Sequence, residues 1–213
     1  GAMGFGVTVN QLKFLLEDQN PIPMKKWLTI GALDKTDWES IMAGSWKQRA
    51  GIITAEGLGS GFGGRMLCLS ALPVIPSPYE LEVEVRMDDE SGAAGLVFHA
   101  DGKNKHYGFY PTNESLRLTC FEGESVYSWN ILNTVTSSAY RLNQWNRLRV
   151  KVEKNGKITC FVNDEPVIEV IDQSLIEGRV GLCKFRSPSA EFRNFKQARR
   201  IPHSLITQET RQK

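Results

Sequence analysis

From Tyr79 to Arg86 apolar and charged side chains alternate without a break, Leu81, Val83 and Val85 against Glu80, Glu82, Glu84 and Arg86. Successive side chains of a strand point to opposite faces, so a period of two marks a strand with one face on a core and one outward. Trp145 to Glu153 repeats the pattern with Leu148, Val150 and Val152, and beyond Asn155-Gly156 the residues Ile158, Cys160 and Val162 return in register. Asn-Gly is the favoured dipeptide of a type I′ hairpin, whose two central residues both take positive φ. A turn at Asn163-Asp164 leads into Pro166 to Ile171, and Val180 to Phe185 and Glu191 to Phe195 read as closing strands. Upstream, Gly51 to Thr54, Arg65 to Leu72, Ala93 to Ala100, Lys105 to Tyr110, Ser115 to Phe121 and Ser125 to Leu132 read as further strands between Asp-, Gly- and Asn-rich turns. Many short strands at this spacing, with no internal repeat, predict an all-β chain folded as a two-sheet antiparallel β-sandwich.

Residues 4–24 depart from this pattern. Thr8 and Gln11 have the spacing of a capping box, and Leu12, Leu15 and Leu16 follow as an apolar stripe before Asn20-Pro21-Ile22-Pro23. Proline cannot continue a helix, so the segment predicts a short N-terminal helix and an extended connector. It either docks on the sandwich or is the remnant of a preceding domain. The expected division is a protease-cleavage scar at 1–3, helix and connector at 4–24, sandwich at 25–198 and a polar basic tail at 199–213. The 213 residues suit one large β domain with an appendage.

Charge narrows the function classes. With 26 basic and 24 acidic side chains spread along the chain, no clustered basic face suggests nucleic acid as a partner. Lys196, Arg199 and Arg200 read as part of a solvated tail. No stretch approaches the ~20 apolar residues of a membrane helix. Gly57, Gly59, Gly61, Gly63 and Gly64 form a flexible loop that lacks the Lys-Ser/Thr ending of a phosphate cradle. Cys68, Cys120, Cys160 and Cys183 sit singly in apolar runs. They read as buried free thiols, with disulfides across the sandwich as the alternative.

The order Gln144-Trp145-Asn146, Asn155-Gly156, Asn163-Asp164, Gly178-Arg179-Val180-Gly181-Leu182 and Phe192-Arg193-Asn194-Phe195 carries a resemblance. It resembles the concanavalin A-like lectin/glucanase superfamily, and within it the bacterial domain of the 3-keto-disaccharide hydrolase type. Trp46 before Gly51-Ile52-Ile53 and Tyr79-Glu80-Leu81 before Gly95-Leu96-Val97-Phe98 fit the same pattern. The resemblance covers roughly residues 38–198 and implies a jelly roll, with an extracytoplasmic setting favoured. The family's polar positions are largely replaced, by Ala93-Ala94-Gly95, His99, Tyr107-Gly108-Phe109-Tyr110 and Cys183-Lys184-Phe185. The resemblance therefore implies the scaffold more than the chemistry.

Two constellations remain as candidates. Glu80, Glu82 and Glu84 have the carboxylate alternation of some glycosidases of the superfamily, although a solvated outer face is the plainer reading. In the family's register His99, His106 and Tyr110 join Arg117, Thr119 and Phe121 on the concave sheet face. His99, His106, Tyr110, Arg117 and Thr119, with Trp129 as a stacking ring, are the candidate ligand-binding residues. The plainer alternatives are a partly wet sheet face and, for Trp129, a place in the core, where Trp27 and Trp145 also belong. No catalytic residue and no metal site is assigned. Asp101, Asp164 and Asp172 could offer oxygens to calcium but form no recognisable ligand loop. His203 is read as inert.

The expectation is a non-catalytic carbohydrate-binding or interaction module of a larger bacterial protein, its partner a glycan or a neighbouring domain. A divergent sugar-active enzyme of the 3-keto-glycoside hydrolase or lyase type is the alternative, and a purely structural domain a third.

Overall fold

The structure, a computed structural model, describes residues 24–202. The helix expected within 4–24 falls almost wholly outside the described residues, as does His203. The first described element is a short helix α1 (Met24–Leu28), on which Trp27 is 52% exposed rather than part of the core.

Among the described residues, two antiparallel sheets make the sandwich. One holds eight strands in the order β1 (Ile30–Ala32), β3 (Ser45–Arg49), β4 (Ile52–Glu56), β15 (Ala190–Ala198), β6 (Tyr79–Arg86), β11 (Asn146–Val152), β12 (Lys157–Val162) and β13 (Glu165–Ile171). The other holds seven: β10 (Trp129–Val135), β9 (Ser115–Glu122), β8 (Lys105–Thr112), β7 (Ala93–Ala100), β14 (Arg179–Phe185), β5 (Met66–Ser70) and β2 (Trp38–Ile41). The strand expected at Ser125 begins only at Trp129, because Val126–Ser128 form a 3₁₀ turn.

The alternating positions meet between the sheets. Leu81, Val83 and Val85 of β6, beside Leu148, Val150 and Val152 of β11, pack against Leu96, Phe98, Phe109, Leu116, Leu118 and Leu182 of the facing sheet. Each such side chain, fully buried, contributes roughly 1.5–3 kcal/mol. All four cysteines are buried free thiols, the first of the two readings left open above.

The outward set of β6 is not solvated as expected. Glu80 and Glu82 are buried, because cations on the neighbouring strands close over them. Lys196 Nζ lies 2.9 Å from Glu82, Arg193 Nε 2.7 Å from Glu84, Arg86 Nη2 2.5 Å from Glu191, and Arg149 Nη1 3.9 Å from Glu80. Asn194 Nδ2 also donates to Glu84, and the Ile201 backbone N–H to Glu80. These carboxylates form a cross-strand ion-pair ladder, the sheet's outer covering. Trp145, expected in the core, lies half-buried on this face with the guanidinium carbons of Arg193 and Arg86 at 4.3 and 5.3 Å from its ring centre.

The type I′ turn expected at Asn155-Gly156 is found instead at the next hairpin. Asn163 and Asp164 have φ of 47° and 73°, so theirs is the two-residue turn with both positions positive. At the other hairpin Gly156 takes φ 78° while Asn155 is not in the left-handed region. Gly156 N donates to Glu153 O at 3.1 Å, and Glu153 N to Lys157 O at 2.9 Å. That pattern is a tight turn ending in a left-handed glycine, a longer loop than the type I′ form.

Candidate functional site

The outer face of the seven-stranded sheet carries most of the candidate ligand residues, but it is not a wet groove. Leu67, Leu69, Val97, Tyr110, Phe121, Cys183 and Phe185 form a second buried apolar cluster there. Phe62, Met42 and Trp129 pack over it. The glycine-rich loop makes this cover possible. Gly63 and Gly64 take φ of 68° and 71°, where side-chain-bearing residues are strained. Gly59 N donates to Gly64 O, Gly61 N to Arg65 O, and Arg186 N to Gly63 O. The loop expected to be flexible is a hydrogen-bonded turn that sets Phe62 against Trp129, ring centres 5.8 Å apart.

His106 points to this face as its register requires, yet it is sealed. Its ring stacks on Phe121 at 4.8 Å, Nδ1 bonds Tyr107 O at 3.0 Å, and Nε2 lies 3.2 Å from Arg65 Nη1. Burial, reinforced by the Arg65 charge, pushes the imidazole down to about 3, so it is neutral. Arg65 is itself fully buried, with Nη1 and Nη2 donating to Asn104 O and Oδ1. Burial lowers its pKa to about 10, which leaves it charged at neutral pH. Together the two residues fill the part of the face where a ligand was expected.

His99 is on the wrong face. Arg179 pairs with Ala100 and Gly181 with Val97, so Phe98 and His99 stand opposite the single residue Val180. This β-bulge, with His99 at φ 50°, breaks the alternation. Val97 and Ala100 keep to the outer cluster, while His99 turns toward the core rings of Tyr79 and Tyr107, 5.8 and 5.7 Å away. Its Nδ1 bonds Leu175 O at 2.8 Å, and burial holds its pKa below the usual imidazole value. It borders a separate cleft at one end of the sandwich with Tyr79, Ile75 and Ile176.

Tyr110, Arg117 and Trp129 are brought together. With Phe62, Phe121, Phe185 and Arg186 they line a cleft of about 150 Å³. Thr119 lies beneath it, fully buried, its hydroxyl 3.2 Å from that of Tyr110 and 3.4 Å from Gly108 O. Burial pushes the Tyr110 phenol up to about 12, so it stays a neutral donor or acceptor. The Arg117 guanidinium lies 5.9 Å from the Trp129 ring centre. Trp129 is therefore half-buried at the cleft wall, stacked on Phe121 at 6.0 Å, rather than lost in the core.

Phe62 and Arg186 are cleft residues that strand patterning missed. The signal was an aromatic side chain inside a glycine-rich loop, and an arginine directly after an outward-facing phenylalanine. Chemically the cleft offers aromatic faces, one phenol and two guanidinium groups, with no carboxylate or imidazole in its lining. Asp101, Asp164 and Asp172 serve local structure. Asp101 Oδ1 accepts from the backbone N–H groups of Lys103 and Lys105, Asp164 pairs with Arg147, and Asp172 Oδ1 accepts a hydrogen bond from the Tyr107 hydroxyl. Among the described residues no group of three His, Cys, Asp or Glu side chains is placed to hold a metal ion. No helix there is long and apolar enough to cross a membrane.

Comparisons with known proteins bear on the fold and the family. The profile of the 3-keto-alpha-glucoside-1,2-lyase-like domain matches residues 31–197. No curated protein is similar enough in sequence to count as a relative. The carbohydrate-binding module CBM66 from Bacillus subtilis superposes with a TM-score of 0.63 at 18% identity, over 76% of this chain and 95% of that one. A Bacillus subtilis protein of galectin-like fold superposes with a TM-score of 0.57 at 11% identity, over 78% of this chain and 91% of that one. At such identities the likeness establishes the concanavalin A-like jelly roll and nothing finer.

Proposed function

The chain belongs to the 3-keto-alpha-glucoside-1,2-lyase-like domain family, and from that premise we propose that it is a non-catalytic carbohydrate-binding module of a larger bacterial protein. The observation that carries this reading is the cleft at Trp129. Phe62 and Trp129 form an aromatic wall, Tyr110 supplies a hydroxyl, and Arg117 and Arg186 supply donors. Aromatic faces take up the apolar C–H faces of a sugar ring, while fixed polar groups read its hydroxyls. The cleft is smaller than the ~300–1,000 Å³ usual for drug-sized ligands, which suits one terminal ring or one substituent. Acid–base catalysis needs a positioned proton donor or acceptor near the operating pH. The lining offers neither a carboxylate nor an imidazole, which favours binding over turnover.

The test is calorimetric titration of the chain with neutral and acidic oligosaccharides. Saturable binding that Trp129→Ala weakens at least tenfold supports the reading, a change of about 1.4 kcal/mol. Absence of binding to every sugar counts against it.

A second reading, a divergent sugar-active enzyme, draws on the family and on His99. Its Nε2 is buried without a hydrogen-bond partner beside the cleft at the sandwich end. Turnover of 3-keto-glycosides that is lost in His99→Ala would favour this second reading.

A further inference from the structure

We propose that the ligand of the Trp129 cleft carries an oxyanion, a carboxylate or sulfate borne on a sugar, which Arg117 and Arg186 bind. The inference rests on reading the cleft as a sugar site and adds the chemical class of the sugar.

Two guanidinium groups line the cleft and no acidic side chain does. Arg117 is half-buried and makes no ion pair or hydrogen bond through its guanidinium among the described residues. Its Nε is shut off from solvent without a partner. An arriving acceptor therefore meets the guanidinium at its Nη1 and Nη2 end, which is not shut off from solvent. Arg186 is aimed rather than free. Its Nη1 donates to Ser91 O at 2.6 Å and to Thr112 Oγ1 at 3.2 Å, which holds the side chain at the rim. Its Nε and Nη2 have no partner among the described residues, so one edge of the fork stays available. A guanidinium edge presents two parallel donors that match the two oxygens of a carboxylate or sulfate. Holding it in place beforehand removes part of the entropy cost of binding.

The opposite face of the molecule shows what this chain does with cations that only need neutralising. There Arg86, Arg147, Arg193 and Lys196 each contact a carboxylate within 2.9 Å. In the cleft the charge is left unmet where the aromatic wall would seat a ring. The Tyr110 phenol, which shares the lining, is neutral at physiological pH and does not offset it.

The test uses the intact chain in calorimetric titrations with three oligosaccharides of similar length: a neutral xylo-oligosaccharide, an oligogalacturonate and a sulfated galactan fragment. The acidic members should bind at least tenfold tighter than the neutral one, and lose that advantage between about 0.05 and 0.5 M NaCl as charges are screened. Arg117→Gln and, separately, Arg186→Gln should each reduce the preference severalfold. Arg186 is exposed, so its replacement leaves the fold intact even if Arg117→Gln does not. A stronger response to the uronate or to the sulfate identifies which oxyanion is read. Equal binding of all three sugars, unmoved by either substitution, overturns the inference while the sugar-binding reading stands. Binding of none overturns both.

Discussion

The guanidinium carbon of Arg65 lies 4.2 Å from the centre of the Phe121 ring. The His106 imidazole stacks on the same ring, and the two side chains bond to each other. This cluster fills the outer face of the seven-stranded sheet beside the Trp129 cleft, with Phe121 shared between the two.

Removing Arg65 should therefore open the sheet face. Arg65→Ala strips a buried side chain from Phe121, His106 and Asn104, and the expected loss is about 2–4 kcal/mol of stability. Arg65→Met keeps much of the volume and removes the cost of burying a charge, so it should lose less. Urea denaturation measures both. A variant with alanine as stable as the parent would show that Arg65 does not hold the cluster together.

Stability should also fall on mild acidification. In the folded protein His106 stays neutral down to about pH 3, whereas an unfolded histidine titrates near ~6.5. Below that value the unfolded chain binds more protons than the folded one, so stability is complete above about pH 6.5 and is lost as the pH drops. The loss from His106 between pH 7 and pH 5.5 is about 1 kcal/mol, and His99, also held below its usual value, adds to it. Urea midpoints across that range should show the slope, and His106→Gln should flatten it. An equal slope in the variant would contradict the buried neutral imidazole.

The bulge at His99 separates that residue from the ligand cleft. His99→Gln should leave oligosaccharide affinity within about twofold while lowering the melting temperature, since the ring is packed between Tyr79 and Tyr107. A tenfold loss of affinity with an unchanged melting temperature would put His99 back in the binding site.

The thiols should be silent in the native state. Burial raises Cys120 and Cys183 to about 12 and holds Cys68 and Cys160 well above the usual thiol value, so none forms the reactive thiolate. Ellman's reagent should count four thiols only after denaturation. Rapid reaction of the folded protein would show that the sheets open.

Period-two alternation made the sandwich legible because a strand must choose a side residue by residue, and β6, β11 and β12 each chose consistently. On β9 the same logic rightly set Arg117, Thr119 and Phe121 opposite Leu116 and Leu118. It could not warn of His99, placed by the family's register, where one inserted residue reversed the facing and nothing in the local pattern marks a bulge. It failed for Glu80 and Glu82, because outwardness follows from the strand but burial depends on Lys196 and Arg149, supplied by other strands. Phe62 and Arg186 were missed for a related reason. Neither lies on a strand face, and a loop crossing over a sheet is a long-range arrangement that periodicity does not encode.

Entry of ligand beside Trp129 can be read residue by residue in an NMR titration with the tightest-binding oligosaccharide. The Trp129 indole N–H and the backbone amides of Phe62, Arg117 and Arg186 should shift together and saturate, while the indole signals of Trp38, Trp46 and Trp145 stay in place. Saturating shifts centred on Trp145, or on His99 and Ile176, with Trp129 unmoved, would contradict the account.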